Sequence, residues 1–156
     1  MSSGVTVITD KTAALREALG QLTSQEVLAG VPEAKTSRDD QMNNATLAYI
    51  HNFGSPAQNI PARPFLGPGI AKKQDEIAAE LKAAGKDALD LKGNKIGQRL
   101  TRVGLLAQAG IRSMFGGGEM APLKPETVAR KGGKKTTPLI DTGQLRNSIS
   151  FVVRDK

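Results

Sequence analysis

From Gly69 to about Met114 the apolar residues fall almost without a gap at helical spacing. Ile70, Ile77, Leu81, Ala84, Ala88 and Leu91 form one stripe, and Ile96, Leu100, Val103, Ala107, Ile111 and Met114 form a second. The intervals are threes, fours and sevens, the signature of helices with one buried face. Between the stripes stands Lys92-Gly93-Asn94, where Gly93 is expected to break or kink the element. The pattern predicts either two helices or one long bent helix. An amphipathic helix must cover its apolar face with another layer, so the remaining chain has to supply a surface for both stripes.

The flanks supply strands. Val5 to Thr9 reads as a short strand, and Asp10 then caps a helix over about 11–22 that carries Leu15, Leu19 and Leu22, with Gly20 weakening its last turn. Glu26 to Val31 alternates, with Val27, Ala29 and Val31 on one face, and Pro32 stops it. Residues 33–42 are polar and read as an exposed loop, and 43–52 is a short helix with Leu47 and Ile50, closed at Gly54. Near the other end, Asp141 or Thr142 can cap a helical turn, Gly143 permits a sharp bend, and a strand over 148–153 buries Ile149 and Phe151. The expected fold is α+β: a small antiparallel sheet packed against a long helix or helix pair, with an N-terminal helix and an extended proline-rich arm. Strands are expected at 5–9, 26–31 and 148–153, and the arm is a candidate for one more.

The arm occupies 53–69. Pro56, Pro61, Pro64 and Pro68 argue against both a helix and a central strand there. Ile60, Phe65 and Leu66 are its anchors, and it reads equally as an ordered surface loop or as an arm docked on a neighbouring subunit. In the second case Phe53, Ile60, Pro61, Arg63, Pro64, Phe65 and Leu66 form an oligomer interface. Composition favours docking: with 156 residues there is one domain over 1–156, yet only 3% of residues are aromatic. A core of Leu, Ile, Val and Ala is expected to be thin, with some apolar surface completed by neighbouring subunits. Residues 116–138 are irregular and glycine-rich, apart from a single helical turn expected at Pro125 to Arg130. Arg130, Lys131, Lys134 and Lys135 make this loop basic, and it is expected to be solvated until a partner orders it.

No catalytic constellation is legible. His51 is the sole histidine and cysteine is absent, which leaves no His or Cys metal set and no nucleophile–base pair, and fits a reducing compartment. Asp39-Asp40 and the Asp87/Asp90 pair read as solvated charges. Gly116 to Gly118 lacks the Lys and the strand-to-helix setting of a phosphate loop. No enzyme activity, cofactor or metal is expected, nor a secretion signal or membrane span. The net charge of +7 points to an anionic partner. Lys95, Arg99 and Arg102 lie in one sector of the second helix. With Arg112 and the loop cations Arg130, Lys131, Lys134 and Lys135 they are candidates for contact with DNA or an acidic protein face. Aromatics for stacking on single strands are nearly missing, so only non-specific contact with double-stranded DNA is expected.

Three stretches carry a resemblance. Pro138 to Val153, PLIDTGQLRNSISFVV, resembles an L-x-x-T-G-x-L-x-x-S-I segment of the tailed-phage virion morphogenesis, neck and tail completion proteins, with Thr142, Gly143, Leu145, Ser148 and Ile149 on the motif. Tyr49 to Leu66, YIHNFGSPAQNIPARPFL, resembles that family's Y-x-x-x-F-G … I-P-A-R-P-F-L run, and Leu123 to Gly132, LKPETVARKG, resembles the run that precedes the T-G segment. The resemblance implies a structural virion protein at the head–tail junction, either in the neck or as a tail completion or terminator protein. It would be made in the host bacterial cytoplasm and act in head–tail joining and virion assembly. The resemblance also implies a closed homo-oligomeric ring, on the order of six or twelve copies, around packaged DNA and against other neck, connector or tail proteins. The alternative from another class is a small basic protein associated non-specifically with DNA.

Overall fold

A computed structural model of the chain describes residues 9–33, 42–116, 118, 120–133, 136–140 and 142–156. The elements are α1 (Thr12–Ser24), β1 (Gln25–Gly30), α2 (Asn44–Phe53), α3 (Leu66–Ala71), α4 (Gln74–Leu89), α5 (Ile96–Ser113), α6 (Pro125–Arg130), α7 (Gln144–Ser148) and β2 (Ser150–Asp155). The architecture is α+β, as the patterning predicts. β1 and β2 pair antiparallel from Gln25 with Asp155 to Gly30 with Ser150, and this two-stranded sheet lies on α5. The strand expected at 5–9 lies outside the described residues except for Thr9, which is not in a strand.

The second stripe is buried throughout. Ile96 and Leu100 join Ala18 and Ala88 in one cluster, against which Val27 and Val153 pack. Ile111 and Met114 join Phe65, Phe115, Leu145 and Ile149 in the other. The core therefore is not aliphatic alone: the rings of Phe65 and Phe115 meet edge to face at its centre, 5.0 Å between centroids. The first stripe is buried only at Ala84 and Ala88, while Leu81 is 44% exposed. Small side chains let α4 approach its neighbours closely, and the larger Leu81 is left outside. The break between the helices falls at Leu91, not Gly93. Leu91 adopts φ +58°, the Lys92 N–H donates to Asp87 O at 2.7 Å, and the Leu91 N–H donates to Ala88 O at 3.1 Å. That is a Schellman ending with leucine in the place usually held by glycine.

Two glycines of α5 set the distances to its neighbours. A Cβ on Gly110 would sit 2.2 Å from the Gly69 carbonyl oxygen, and one on Gly69 would sit 2.5 Å from Ile111 Cα. α3 and α5 thus cross backbone to backbone. A Cβ on Gly104 would fall 2.1 Å from the Phe151 ring, so the half-buried ring of β2 rests in the space that glycine leaves.

The proline-rich stretch differs from an extended arm. Residues 56–58 form a 3-10 turn, Ser55 bridges to Ile60, and the stretch passes into α3. Pro68 is tolerated because it stands in the first turn, where its missing N–H removes no helical bond. Phe65 and Arg63 are buried in their own chain. The Asn52 side-chain oxygen accepts from the Phe65 N–H at 3.0 Å and the Leu66 N–H at 3.2 Å, so the end of α2 caps the start of α3.

Two substitutions on one helix separate these effects. Gly110→Ala should lower stability by about 2–3 kcal/mol, because no rotamer change relieves contact with a backbone oxygen. Gly97→Ala meets nothing within 4 Å and should raise stability by about 0.5–1 kcal/mol. Urea unfolding of both variants checks the pair; equal effects would mean the crossing is looser than described. Asn52→Ala should cost about 1–3 kcal/mol by leaving two N–H groups without an acceptor, with Asn52→Asp retaining part of that stability.

Candidate functional site

α2 presents three faces. Asn44, Ala48 and Asn52 point into the protein, and the Asn43 side chain caps the helix by accepting from the Thr46 N–H at 2.7 Å. Leu47 and His51 face a cleft of about 320 Å³. Tyr49 and Phe53, 66% and 62% exposed, meet in a tilted ring contact, 4.9 Å between centroids, on the surface away from it.

The cleft gathers segments far apart in sequence: Asn59, Ile60, Pro61 and Arg63, the start and end of α6, and Leu139 together with the run from Thr142 to Leu145. Cations lace these walls together by donating to backbone carbonyls. Arg63 Nε reaches Ala121 O at 2.9 Å and its terminal nitrogen reaches Pro122 O at 3.0 Å. Lys124 Nζ donates to Asn59 O at 3.2 Å, and Lys131 Nζ donates to Ile140 O at 3.0 Å. Lys131 is therefore fixed to the fold, contrary to the expectation of a loop held by nothing; Arg130 is exposed at the end of α6. Lys134, Lys135 and Asp141 lie outside the described residues.

The remaining motif residues surround this cleft or lie beneath it. Thr142 and Gly143 line it, and Gly143 takes φ +80° to start α7. Leu145 reaches from it into the core. Ser148 ends α7 by donating to Leu145 O at 2.7 Å, so the strand starts at Ser150, later than expected. Ile149 is buried, and its carbonyl accepts from Gln108 Nε2 and an Arg112 terminal nitrogen, both at 2.8 Å. Of the expected interface residues, Ile60, Pro61 and Arg63 line the cleft, Leu66 is half-buried, Phe65 is core, and Phe53 and Pro64 are exposed. Lys124, Thr127 and Asn52 were not singled out in the sequence. Lys124 and Thr127 lie in a stretch that resembles the same family, with Thr127 in the expected helical turn, and Asn52 lies in one read both as helix and as part of the 49–66 resemblance.

The expected basic face of α5 is largely neutralised. Arg99 Nε donates to Asp87 Oδ2 at 2.9 Å and a terminal nitrogen donates to Glu80 Oε2 at 3.0 Å, while Arg102 approaches Glu80 at 3.7 Å. Asp87 is a buried partner and not a solvated charge; Asp90 pairs at the surface with Lys92 at 3.2 Å. Lys95 is exposed. Among the described residues no cluster of His, Asp and Glu could hold a metal ion, and no helix is long and apolar enough to cross a membrane.

No protein-family model matches the chain, and no solved structure matches it. A curated relative, an uncharacterised protein of Methanocaldococcus jannaschii, is 49% identical over 35 residues. That match covers 22% of this chain and 26% of the relative. The chain thus spans about a quarter of that protein's length, and its name carries no activity or partner.

The Arg99 hydrogen bond holds the Asp87 carboxyl below its ordinary pKa, assisted by the nearby charges of Arg99, Lys95 and Lys92 and opposed by burial. A depressed folded-state pKa gives stability that is fully present above the unfolded value and lost as pH falls through the folded one. The melting temperature should therefore drop on acidification below about pH 4. Asp87→Asn should be less stable at neutral pH and lose less between neutral and acid. Melting curves across that range check this, and an unchanged acid slope would place the sensitivity elsewhere.

Proposed function

We propose that this chain is a structural protein of the tailed-phage head–tail junction, in the neck or as a tail completion or terminator protein. It acts by assembly and not by catalysis, as a ring on the order of six or twelve copies. The observation that carries this reading is the cleft. Three stretches picked from sequence for their resemblance to one family, around residues 49–66, 123–132 and 138–153, all contribute to its walls. Residues from such separate places are brought to one surface when that surface, and not only the core, matters to the protein.

The exposed Tyr49–Phe53 pair supports self-association. Two aromatic rings in contact on an exposed helix face form the kind of patch that interfaces bury. In a chain with four Phe and one Tyr, leaving two of these five rings in water calls for a partner. The DNA-associated alternative has less support, because Arg99 and Arg102 are occupied by Glu80 and Asp87.

Deleting the proline-rich stretch would remove Phe65 from the core, so surface substitutions are the better test. The double variant Tyr49→Ser, Phe53→Ser should keep its melting temperature and lose higher oligomers in sedimentation velocity and electron microscopy. Wild-type oligomers should persist at high salt, whereas DNA association would fall steeply. A wild-type chain that stays monomeric and joins neither heads nor tails would sink this reading.

A further inference from the structure

Four cations share the walls of the cleft: Arg63, Lys124, Arg130 and Lys131. Three of them are already hydrogen-bonded, and in each case the acceptor is a backbone carbonyl. A carbonyl orients a cation without cancelling its charge. The carboxylate-paired cations Lys73, Lys92, Arg99, Arg102 and Arg154 all lie outside the lining of this cleft. Among the described residues no Asp or Glu lines it either. Like charges held around one concavity repel, and walls of low dielectric focus their field into the space between them. An anion entering that space relieves the repulsion of all four.

The rest of the lining says what kind of anion. Leu47, Ile60, Pro61 and Leu139 give the cleft apolar walls beside its charges. A DNA backbone would offer phosphates to the cations and nothing to these walls. An extended peptide with alternating apolar and acidic side chains satisfies both. We infer that the cleft is the docking site for an acidic, leucine-bearing segment of a partner protein. The carboxylates of that segment face Arg130 and Lys124, and its apolar side chains cover Leu47, Ile60 and Leu139. Arg63, buried and bonded to Ala121 and Pro122, is a positioning residue that fixes the opposite wall. The segment neutralises charge that no carboxylate among the described residues of the cleft compensates, so docking is salt-sensitive while its apolar part is not.

This inference rests on the assembly reading only for the identity of the protein that carries the segment. The test uses the full chain and a fluorescein-labelled hexapeptide alternating leucine and glutamate, followed by anisotropy. The glutamate peptide should bind at least about tenfold more tightly than its leucine–glutamine counterpart, as expected for charge-assisted contacts. Arg130→Gln, at an exposed position, should weaken the glutamate peptide about tenfold with an unchanged melting temperature. Arg102→Gln removes the same charge from α5 and should leave binding within about twofold, because screening confines a charge's influence to its surroundings. Equal binding of the two peptides overturns the inference, and this comparison needs no variant. So does equal loss in the two arginine variants, or a short DNA duplex that binds more tightly than the peptide and competes it away. A chain that binds the peptide but never oligomerises or joins particles leaves this inference standing and rejects the assembly reading. A chain that assembles but ignores the peptide rejects this inference alone.

Discussion

Two backbones touch where Gly69 meets Gly110, and most of the molecule is arranged around that contact. It draws α3 onto α5 without intervening side chains. Phe65, one residue ahead of α3, is thereby directed into the core against Phe115 and Ile111. With Phe65 fixed, the chain running back from it through Arg63 to Asn59 has little freedom, and it becomes a wall of the cleft. The Asn52 side chain closes the same circuit from the other side by capping α3. A surface feature is thus set by a helix crossing inside the protein, through a chain of packed and hydrogen-bonded groups.

Arginine and lysine serve two separate ends. Between α4 and α5, Arg99 is held by two carboxylates and pins one helix to the other, at the cost of a basic face. Around the cleft, Arg63, Lys124 and Lys131 are held by carbonyls instead. A carbonyl gives geometry and leaves the positive charge in place, so these residues are structural and still electrostatically available. The positive charge is therefore unevenly distributed in effect: carboxylates offset it at Arg99 and Arg102, while it is expressed at the cleft.

The helices, the alternation of β1 and β2 and the α+β class were legible because periodicity reports burial directly. The boundaries of α1, α2, α5 and α6 fall within two residues of those expected. The cleft was legible only as three separate stretches, since nothing in local sequence says that Asn59 will lie beside Lys124. Arg99 was misjudged for the same reason. A cation one turn off an apolar stripe looks solvated until the helix packed beside it brings Glu80 and Asp87. Leu91 hid the helix ending because the positive-φ position usually advertises itself as glycine. Pro68 concealed α3, although a proline at the start of a helix is no obstacle to it.

The sheet joins the two ends of the described chain. Arg154 bonds to Glu26 across 128 residues of sequence, and every pair in the ladder is of that kind. During synthesis on the ribosome β1 emerges early and waits for a strand made much later. α5 can form in the meantime, but the niche at Gly104 stays empty until Phe151 arrives. A nascent chain in that interval exposes an edge strand and an uncovered helix face together, the combination that invites wrong pairing in a crowded cell.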